Sequence, residues 1–239
     1  MSRAGSLSPS PLSEGEERDV PETRFGVWFQ GTALWRRYVL HDTLDVLQRL
    51  LPRADARFER ILDAGCGCGL AFAELRARFA PRSLIGVDAD AALIAAARAD
   101  AGAALELRIG DVRHLDLPDA SIDLALCHQT LHHVSQPERA LTELRRVLAP
   151  GGVLLLAESC RPFLRMWWVR VFFRHPSSAY RDASDYVELV RRAGFALEPA
   201  RIATPEFWWA LPDLGLLRRF LPRGVARHPI VCLAATRPA

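Results

Sequence analysis

The sequence of 239 residues contains no lysine and no asparagine. All 31 of its residues counted as lysine or arginine are therefore arginine. Without lysine, the chain has neither the phosphate-binding lysine of a P-loop nor an amine that could form a Schiff base. Without asparagine, it has no acceptor for N-glycosylation. These absences exclude two classes of enzyme and one surface modification.

Long apolar runs are also absent. No stretch approaches the ~20 residues of a membrane helix, and the richest one, 163–173, is interrupted by Arg165 and Arg170. The first twenty residues lack the apolar core of a secretory signal. The cysteines are five, an odd number, without the spacing of disulfide or zinc ligands. The sequence predicts a cytoplasmic protein with no membrane span and no bound metal.

Residues 1–22 are rich in Ser, Pro, Gly and Glu, and we expect a disordered tail because they have little apolar surface to bury. Residues 23–239 are predicted to form a single domain, with a core at 59–158 and a cap and substrate-side elements within 161–228. The net charge of +3 divides into −4 for residues 1–160 and +7 for residues 161–239. The predicted cap is therefore basic, and it is also rich in aromatic residues.

After a helical segment that ends near Pro52, short apolar runs alternate with helical periodicity. Strands are predicted at 60–64, 83–88, 105–109, 122–127, 153–157, 195–203 and 229–235. Helices are predicted near 69–80, 90–101, 136–148 and 184–193, the third with a capping box from Ser135 to Glu138. This alternation indicates an α/β fold with a mostly parallel sheet that helices cover on both faces.

The most informative segment is ILDAGCGCG at 61–69, a strand that runs into a glycine-rich turn. It is not a G-x-G-x-x-G dinucleotide fingerprint, because position 70 is leucine. Two later strands also end in carboxylates, at Asp88 and Asp111. The carboxyl ends of parallel strands line one crevice, so we expect these groups to converge there, where an acid after the second strand can bind a ribose diol.

With LIGVDAD at 84–90, GDVRHLDLPDASIDLALCHQTLHHV at 110–134 and ELRRVLAPGGVLLLAE at 143–158, this segment resembles the class I S-adenosylmethionine-dependent methyltransferases of the small-molecule type. The resemblance is close over residues 59–158. It implies a Rossmann-like, doubly wound, mostly parallel seven-stranded sheet, S-adenosylmethionine as cofactor, and transfer of its methyl group.

The resemblance also implies roles for individual residues. Gly65, Gly67 and the backbone near Cys66 would hold the methionine part of the cofactor. Asp63 would orient the glycine turn or reach the cofactor amine through water. Asp88 would bind the ribose hydroxyls, and Asp111 with the Val112 amide would read the adenine. The remaining residues expected beside the cofactor are Ala89 and Cys127.

Three histidines follow the fourth strand: His128, His132 and His133. A general base accelerates methyl transfer to a hydroxyl, whereas an amine, a thiol or an activated carbon has less need of one. His128 is our candidate base. The alternative is that His128 only forms part of the pocket wall beside the cofactor. No carboxylate or cysteine at suitable spacing completes a metal site with these histidines.

The acceptor follows less directly from the sequence. Phe25, Trp28, Phe29, Trp35 and Tyr38, with the aromatic stretch at 163–173, either wall an apolar acceptor pocket or pack the cap onto the sheet. We expect a small, lipophilic or aromatic acceptor, which the basic cap would allow to be anionic or carrier-bound. Residues 127–130 (CHQT) lack the Asn/Asp-Pro-Pro-aromatic motif and the Pro-Cys pair of nucleobase methyltransferases, so a nucleic acid is disfavoured. The alternatives are an RNA or protein methyltransferase that uses the basic part, and a cofactor-binding protein without turnover.

Overall fold

Seven strands form one sheet in the order β3-β2-β1-β4-β5-β7-β6. The computed structural model describes residues 23–52, 57–99, 105–173, 180–211 and 228–239. β1 to β5 pair in parallel, and β7 is antiparallel to both β5 and β6. The strands are β1 (Arg60–Ala64), β2 (Ser83–Asp88), β3 (Leu105–Ile109), β4 (Ile122–His128), β5 (Leu148–Ser159), β6 (Ile202–Ala203) and β7 (Ile230–Thr236).

The predicted mostly parallel, seven-stranded sheet is confirmed, and the strand prediction failed in one segment only. A strand was expected over 195–203, but only Ile202 and Ala203 pair as β6, with an isolated bridge from Ala196 to Thr236. Between them lies a 3-10 turn, Pro199–Arg201. Proline has no amide hydrogen for a sheet ladder, which explains why the strand is interrupted there. The predicted tail at 1–22 and part of the predicted cap lie outside the described residues.

The described residues form eight α-helices. They are α1 (Arg24–Gln30), α2 (Asp42–Arg49), α3 (Phe72–Phe79), α4 (Ala91–Ala99), α5 (Pro137–Val147), α6 (Arg161–Leu164), α7 (Trp167–Phe172) and α8 (Ala183–Arg192). A π-helical segment, Trp35–His41, leads directly into α2. The predicted helical segment before Pro52 is therefore three consecutive elements.

The helices cover both faces of the sheet because the strand side chains alternate. On one face, Leu62 and Leu154 pack in a cluster with Leu144 of α5 and Tyr186 of α8. On the other face, the neighbouring Ile61 packs in a second cluster. That cluster includes Leu44 of α2, Leu75 of α3 and Ile94 of α4. Helices therefore cover both faces of the strands that contribute to the crevice. The carboxyl ends of these strands remain open for a site.

The expected capping box at the start of α5 was wrong. The N-cap residue is Gln136, and the Ser135 hydroxyl instead accepts a hydrogen bond of 2.8 Å from Arg113 Nη1. A capping box does start α8, where Asp182 and Asp185 each bind the other's backbone amide. Ser135 thus makes a tertiary contact between two loops at the carboxyl edge of the sheet.

Candidate active site

The turn after β1 depends on glycines with left-handed backbone angles. The φ angles of Gly65, Gly67 and Gly69 are +79°, +53° and +80°. A Cβ atom at Gly65 would lie 2.3 Å from the Thr130 side chain, whereas one at Gly67 would meet no protein atom within 4 Å. Gly65 is therefore required by packing against the loop after β4. Gly67 is different, because it leaves space open to the crevice.

That space belongs to a cavity of about 580 Å³ at the carboxyl ends of β1 to β4, called here the cofactor cavity. Nine of the ten site residues expected from the sequence line it: Asp63, Gly65, Cys66, Gly67, Asp88, Ala89, Asp111, Val112 and His128. Cys127 does not line it. This side chain is fully buried in the cluster beneath α5 and α8, because its strand neighbour His128 takes the orientation that faces the cavity.

Asp88 connects the ends of β1 and β2. Its Oδ2 accepts the Gly67 amide at 2.8 Å, and its Oδ1 accepts the Asp90 amide at 2.9 Å. Each carboxylate oxygen can still accept a second hydrogen bond. Asp88 thus shapes the glycine turn and retains acceptor capacity for two hydroxyl groups of a ligand, which is the chemistry that a ribose requires.

Asp63 lies at the base of the cavity and is 2% exposed. Burial, and next the negative charge of Asp88, raise the pKa of its carboxyl group to about 7. Its Oδ2 is buried without a hydrogen-bond partner among the described residues. A buried carboxylate oxygen of this kind is costly unless a ligand cation or donor pairs with it. An amino group carried by a ligand would fit this position.

Asp111 is held by Arg113, a residue that no sequence motif indicated. The backbone amide of Arg113 donates to Asp111 Oδ1 at 2.8 Å, and its guanidinium donates to Oδ2 at 2.7 Å. Burial acts to raise the pKa of Asp111, but the hydrogen bonds and charge of Arg113 outweigh it and lower the pKa. The same guanidinium contacts Ser135, so Arg113 joins the loops after β3 and β4 at the edge of the cavity.

His128, the expected base, is 9% exposed at the end of β4, with the Trp35 ring edge-on at 5.8 Å. Its Nε2 has no hydrogen-bond partner among the described residues. Burial lowers the pKa of His128 to about 4, against the opposing charge of Glu158. The imidazole is therefore neutral at neutral pH and is a weak base. Its Nε2 thus has no hydrogen bond within the described part of the chain to orient it, and its role as general base stays a prediction.

A second histidine is better oriented. Glu158, at the end of β5, is fully buried, and its Oε2 lies 2.6 Å from His132 Nδ1. Its Oε1 accepts the backbone amides of Thr130 and Leu131 at 2.9 and 2.7 Å. Burial raises the pKa of Glu158 to about 7, although these amides oppose the shift. The sequence did contain a signal, because Glu158 ends a strand as Asp88 and Asp111 do.

Gln129 directly follows His128 at the end of β4 and precedes Thr130, whose amide binds Glu158. It has a left-handed φ of +56°, uncommon for a residue other than glycine. The Ser159 hydroxyl donates to its Oε1 at 2.5 Å, and its Nε2 is buried without a hydrogen-bond partner in the part of the chain described. Strained backbone of this kind is concentrated at functional sites. Nothing in the sequence pattern indicated this residue, because its conformation is imposed by tertiary contacts.

A second cavity of about 700 Å³, called here the aromatic cavity, adjoins the cofactor cavity. The residues that line both are Gln30, Trp35, Gln129 and His133. The aromatic residues of its wall are Phe25, Phe29, Trp35, Tyr38, Phe163, Trp167, Trp168, Phe172, Phe173, Trp208 and Trp209. Trp28 was expected here, but it does not line the cavity and is 64% exposed. The other four aromatic residues expected before the sheet, Phe25, Phe29, Trp35 and Tyr38, do line the cavity. They therefore form part of a pocket wall and do not only pack the cap onto the sheet.

Two further observations concern the described residues alone. None of their helices is both long and apolar enough to cross a membrane. No group of three or more His, Cys, Asp or Glu side chains among them is arranged to hold a metal ion.

The sheet order, the glycine turn and the two joined cavities define a nucleotide-cofactor enzyme of the Rossmann-like type. Residues 62–156 match the family model described as a methyltransferase domain. The chain is 37% identical over 192 residues to a "probable S-adenosylmethionine-dependent methyltransferase" of Mycolicibacterium smegmatis, covering 80% of this chain and 68% of that protein. It is 28% identical over 181 residues to a fatty-acid O-methyltransferase of the same organism, covering 75% and 64%.

Among solved structures, an S-adenosylmethionine-dependent methyltransferase from Mesorhizobium loti has the same fold. It superposes with a TM-score of 0.61 at 20% identity, covering 87% of this chain and 99% of that one. The chain spans between 33% and 68% of the length of the first three curated relatives that it matches. It belongs to the class I S-adenosylmethionine-dependent methyltransferases, and its cofactor is S-adenosylmethionine.

Proposed function

We propose that this chain transfers the methyl group of S-adenosylmethionine to a small lipophilic or aromatic acceptor bound in the aromatic cavity. The observation that carries the proposal is that this cavity shares four wall residues, Gln30, Trp35, Gln129 and His133, with the cofactor cavity. The similarity to a fatty-acid O-methyltransferase supports it, since the acceptor named for that relative is also lipophilic. Bound S-adenosylmethionine supplies a methyl group that its sulfonium already makes electrophilic, so the main task of the protein is positioning.

We further propose how the cofactor cavity holds its ligand. Asp88 accepts the ribose hydroxyls, and Asp63 accepts the amino group of the methionine part. The space beside Gly67 admits the methionine chain close to the backbone, while Asp111 and the Val112 amide read the adenine. The orphaned Asp63 Oδ2 and the open space at Gly67 support this arrangement. Trp35 and Gln129 lie where the two cavities meet and would position the acceptor toward the methyl group.

Replacing Asp88 tests the ribose assignment. Asp88→Ala is expected to weaken S-adenosylmethionine binding by roughly 1.5–3 kcal/mol, because two charge-assisted hydrogen bonds are lost. Titration calorimetry measures this loss. Asp88→Asn is the control that keeps the contact to the Gly67 amide, and we expect it to bind with intermediate affinity. Wild-type affinity in Asp88→Ala would refute the assignment.

The acceptor site is tested by placing a charge in its wall. Leu34, 49% exposed, lines the aromatic cavity, and Leu34→Asp is expected to raise the KM for a lipophilic acceptor roughly tenfold or more, about 1.4 kcal/mol. The affinity for S-adenosylmethionine should not change. Val171, 67% exposed and outside the cavity wall, offers the matched control Val171→Asp.

Release of S-adenosylhomocysteine from a panel of aromatic and acyl acceptors provides the measurement. An equal effect of both substitutions on KM would place the acceptor elsewhere. Binding of S-adenosylmethionine without turnover of any acceptor would favour a cofactor-binding protein over an enzyme of this class.

A further inference from the structure

The exposed large apolar side chains of this protein are concentrated around the aromatic cavity. Of the nine such side chains among the described residues, only Ile109 lies on another part of the fold. Six of the other eight line the cavity, and Trp28 and Val171 lie on the same helices as residues that do. These eight residues, called here the apolar rim, are Phe25, Trp28, Leu34, Tyr38, Trp167, Val171, Phe172 and Trp208. A concentration of exposed apolar side chains of this kind marks an interaction surface.

Contacts between aromatic rings join parts of the apolar rim that are distant in sequence. The Phe25 ring of α1 stacks on the Phe172 ring of α7 with centroids 4.6 Å apart, and Trp28 lies 5.5 Å from Phe25. Tyr38, in the π-helical segment, meets Trp208 edge to face at 5.2 Å. The exposed side chains of α1 and α7 therefore belong to one surface.

The chain bends between α6 and α7, and this bend sets the exposed face of α7. Met166, at the bend, has an extended ψ of 138°. Leu164 and Val169, on either side of it, are buried in a small cluster of their own, which holds the bend in place. Trp167 and Val171, one turn apart on α7, are left 73% and 67% exposed.

Three arginines meet beside the apolar rim. Arg161, Arg165 and Arg170 line, with Tyr180, a cavity of about 420 Å³, called here the arginine cavity. One straight helix would direct Arg170 away from Arg161 and Arg165, whereas the bend before α7 brings the three together. Arg161 lies 3.4 Å from Asp182, and its Nε is buried without a hydrogen-bond partner among the described residues.

Arg165 and Arg170 are exposed, and neither has an ion pair in the described part of the chain. The planar donors of a guanidinium match the oxygens of a phosphate group. Guanidinium groups that share one cavity without carboxylates to neutralise them all attract such an anion. The arginine cavity therefore suits a phosphate, and it lies on the same two helices as part of the apolar rim.

The charge around the apolar rim indicates which partner it meets. Residues 23–41 and 161–173 each contain three arginines and no aspartate or glutamate. A second copy of this chain would bring the same positive charge against itself, which disfavours self-association through this surface. An anionic lipid bilayer offers negative phosphates next to an apolar interior. Tryptophan, tyrosine and arginine are the residues that favour this boundary.

We propose that the apolar rim docks on the surface of an anionic lipid bilayer, with lipid phosphates bound in the arginine cavity. The exposed tryptophan rings lie at the level of the lipid headgroups in the docked protein. This docking goes beyond the proposed function and rests on it in one respect only. A lipophilic acceptor dissolved in the bilayer would enter the aromatic cavity from the docked side without crossing water.

Binding to vesicles tests the docking surface without any turnover. The wild-type protein is mixed with vesicles of phosphatidylcholine and phosphatidylglycerol, or of phosphatidylcholine alone, and the bound fraction is measured by sedimentation. We expect binding to the anionic vesicles that weakens as salt is added, because salt screens the attraction between arginines and lipid phosphates. No binding, or equal binding to both kinds of vesicle, would overturn the proposal.

The apolar part of the surface is tested at two rim residues outside the wall of the aromatic cavity. Trp28→Asp and Val171→Asp are each expected to weaken binding to anionic vesicles roughly tenfold or more, since each removes apolar surface that the bilayer would bury. Ile109→Asp, at a residue 57% exposed on β3, is the matched control and should bind as the wild type does. An equal loss in all three variants would overturn the role of the rim.

The arginine cavity is tested by removing charge. The double variant Arg165→Gln, Arg170→Gln is expected to lose roughly 10- to 30-fold in binding to anionic vesicles. The control Arg191→Gln, Arg192→Gln removes the same charge from exposed residues of α8 that line neither cavity. An equal loss in both double variants would overturn the arginine cavity as a lipid site. Displacement of the protein from vesicles by inorganic phosphate at matched ionic strength would assign that cavity to a free anion and also overturn it.

The competing occupant of the apolar rim is a second copy of this chain. Sedimentation velocity without lipid should give the same oligomeric state for wild type and Trp28→Asp. A dimer that Trp28→Asp dissociates would assign the surface to self-association and overturn the proposal.

Turnover separates this inference from the proposed function. With an acceptor dissolved in buffer, Trp28→Asp and Val171→Asp should keep the wild-type KM, because neither residue lines the aromatic cavity. With the same acceptor carried in anionic vesicles, their rates should fall in proportion to vesicle binding, and unchanged rates would overturn delivery from the bilayer. Vesicle binding without turnover of any acceptor would support the docking surface while the proposed function failed. Turnover without vesicle binding would do the reverse.

Discussion

Asp63→Asn is expected to make the protein more stable above neutral pH and weaker in cofactor binding. The pKa of this buried carboxyl is raised from 3.8 to about 7 by burial and by Asp88. A shift of this size corresponds to about 4 kcal/mol of destabilisation once the group is ionised. An amide at this position cannot ionise, although burying it without a partner costs ~1–2 kcal/mol. We expect a net gain of ~2 kcal/mol in the free energy of unfolding at high pH.

The pH dependence provides the discriminating measurement. Between its unfolded and folded pKa values, Asp63 binds more protons in the folded state, so the free energy of unfolding falls as the pH rises through this window. Urea unfolding at about pH 4 and about pH 8 should show the gain of Asp63→Asn at the higher pH only. Glu158, whose pKa burial also raises to about 7, contributes a slope that this variant retains. An unchanged slope in the variant would contradict the charge burial at Asp63.

Cofactor binding should change in the opposite direction. A cationic ligand favours the ionised form of Asp63, so wild-type affinity for S-adenosylmethionine is expected to increase as the pH rises through about 7. Asp63→Asn should lose roughly 10- to 100-fold in affinity, and most of this pH dependence with it. Calorimetry over the same pH range measures both effects. Stability and binding would thus make opposite demands on one buried carboxylate.

The second large effect is expected from two glycines in one turn. Gly65→Ala should cost roughly 2–5 kcal/mol in the free energy of unfolding, because its φ of +79° is strained for alanine and its Cβ would lie 2.3 Å from Thr130. Gly67→Ala meets no protein atom, so we expect a cost of only ~1 kcal/mol from its φ of +53°. Its added methyl group would occupy space in the cofactor cavity, and S-adenosylmethionine binding should fall.

Thermal unfolding measures the loss of stability expected for Gly65→Ala, and calorimetry measures the loss of S-adenosylmethionine binding expected for Gly67→Ala. Gly65→Ala should be partly rescued by Thr130→Ala, which removes the two closest contacts and leaves the Thr130 Cβ at 2.9 Å. The same second substitution should not restore binding to Gly67→Ala. If Gly67→Ala binds S-adenosylmethionine as the wild type does, the cofactor does not pass beside this residue.

The sequence predicted most of the site on the cofactor side. The pattern of ILDAGCGCG, the acids at 88 and 111 and the alternation of strands and helices are local features, and each is read from neighbouring residues. The topology rule for parallel sheets then places them at one edge. This is why the residues expected at the cavity line it. Cys127 is the exception, because its side chain points to the opposite face of β4 and is buried in the core.

The acceptor side was predicted in outline only. Aromatic residues before and after the sheet indicated a pocket, but Trp28 lies outside it, since its position on α1 directs the side chain toward solvent. The preference for His128 as base rested on its place directly after β4, and it stays a prediction. The histidine that contacts a buried carboxylate is His132, and its partner, Glu158, lies 26 residues away along the chain.

The sequence alone therefore determined the class of fold and the cofactor, and it indicated the edge of the sheet that we propose as the binding site, because these depend on periodicity and on motifs short enough to be local. Only the tertiary structure decided which histidine meets a buried carboxylate, that Arg113 holds Asp111, and that two cavities meet beside Gln129. Those features arise where β4, β5 and the helices before and after the sheet pack together. Their geometry depends on burial and on contacts between distant segments, which no local pattern encodes.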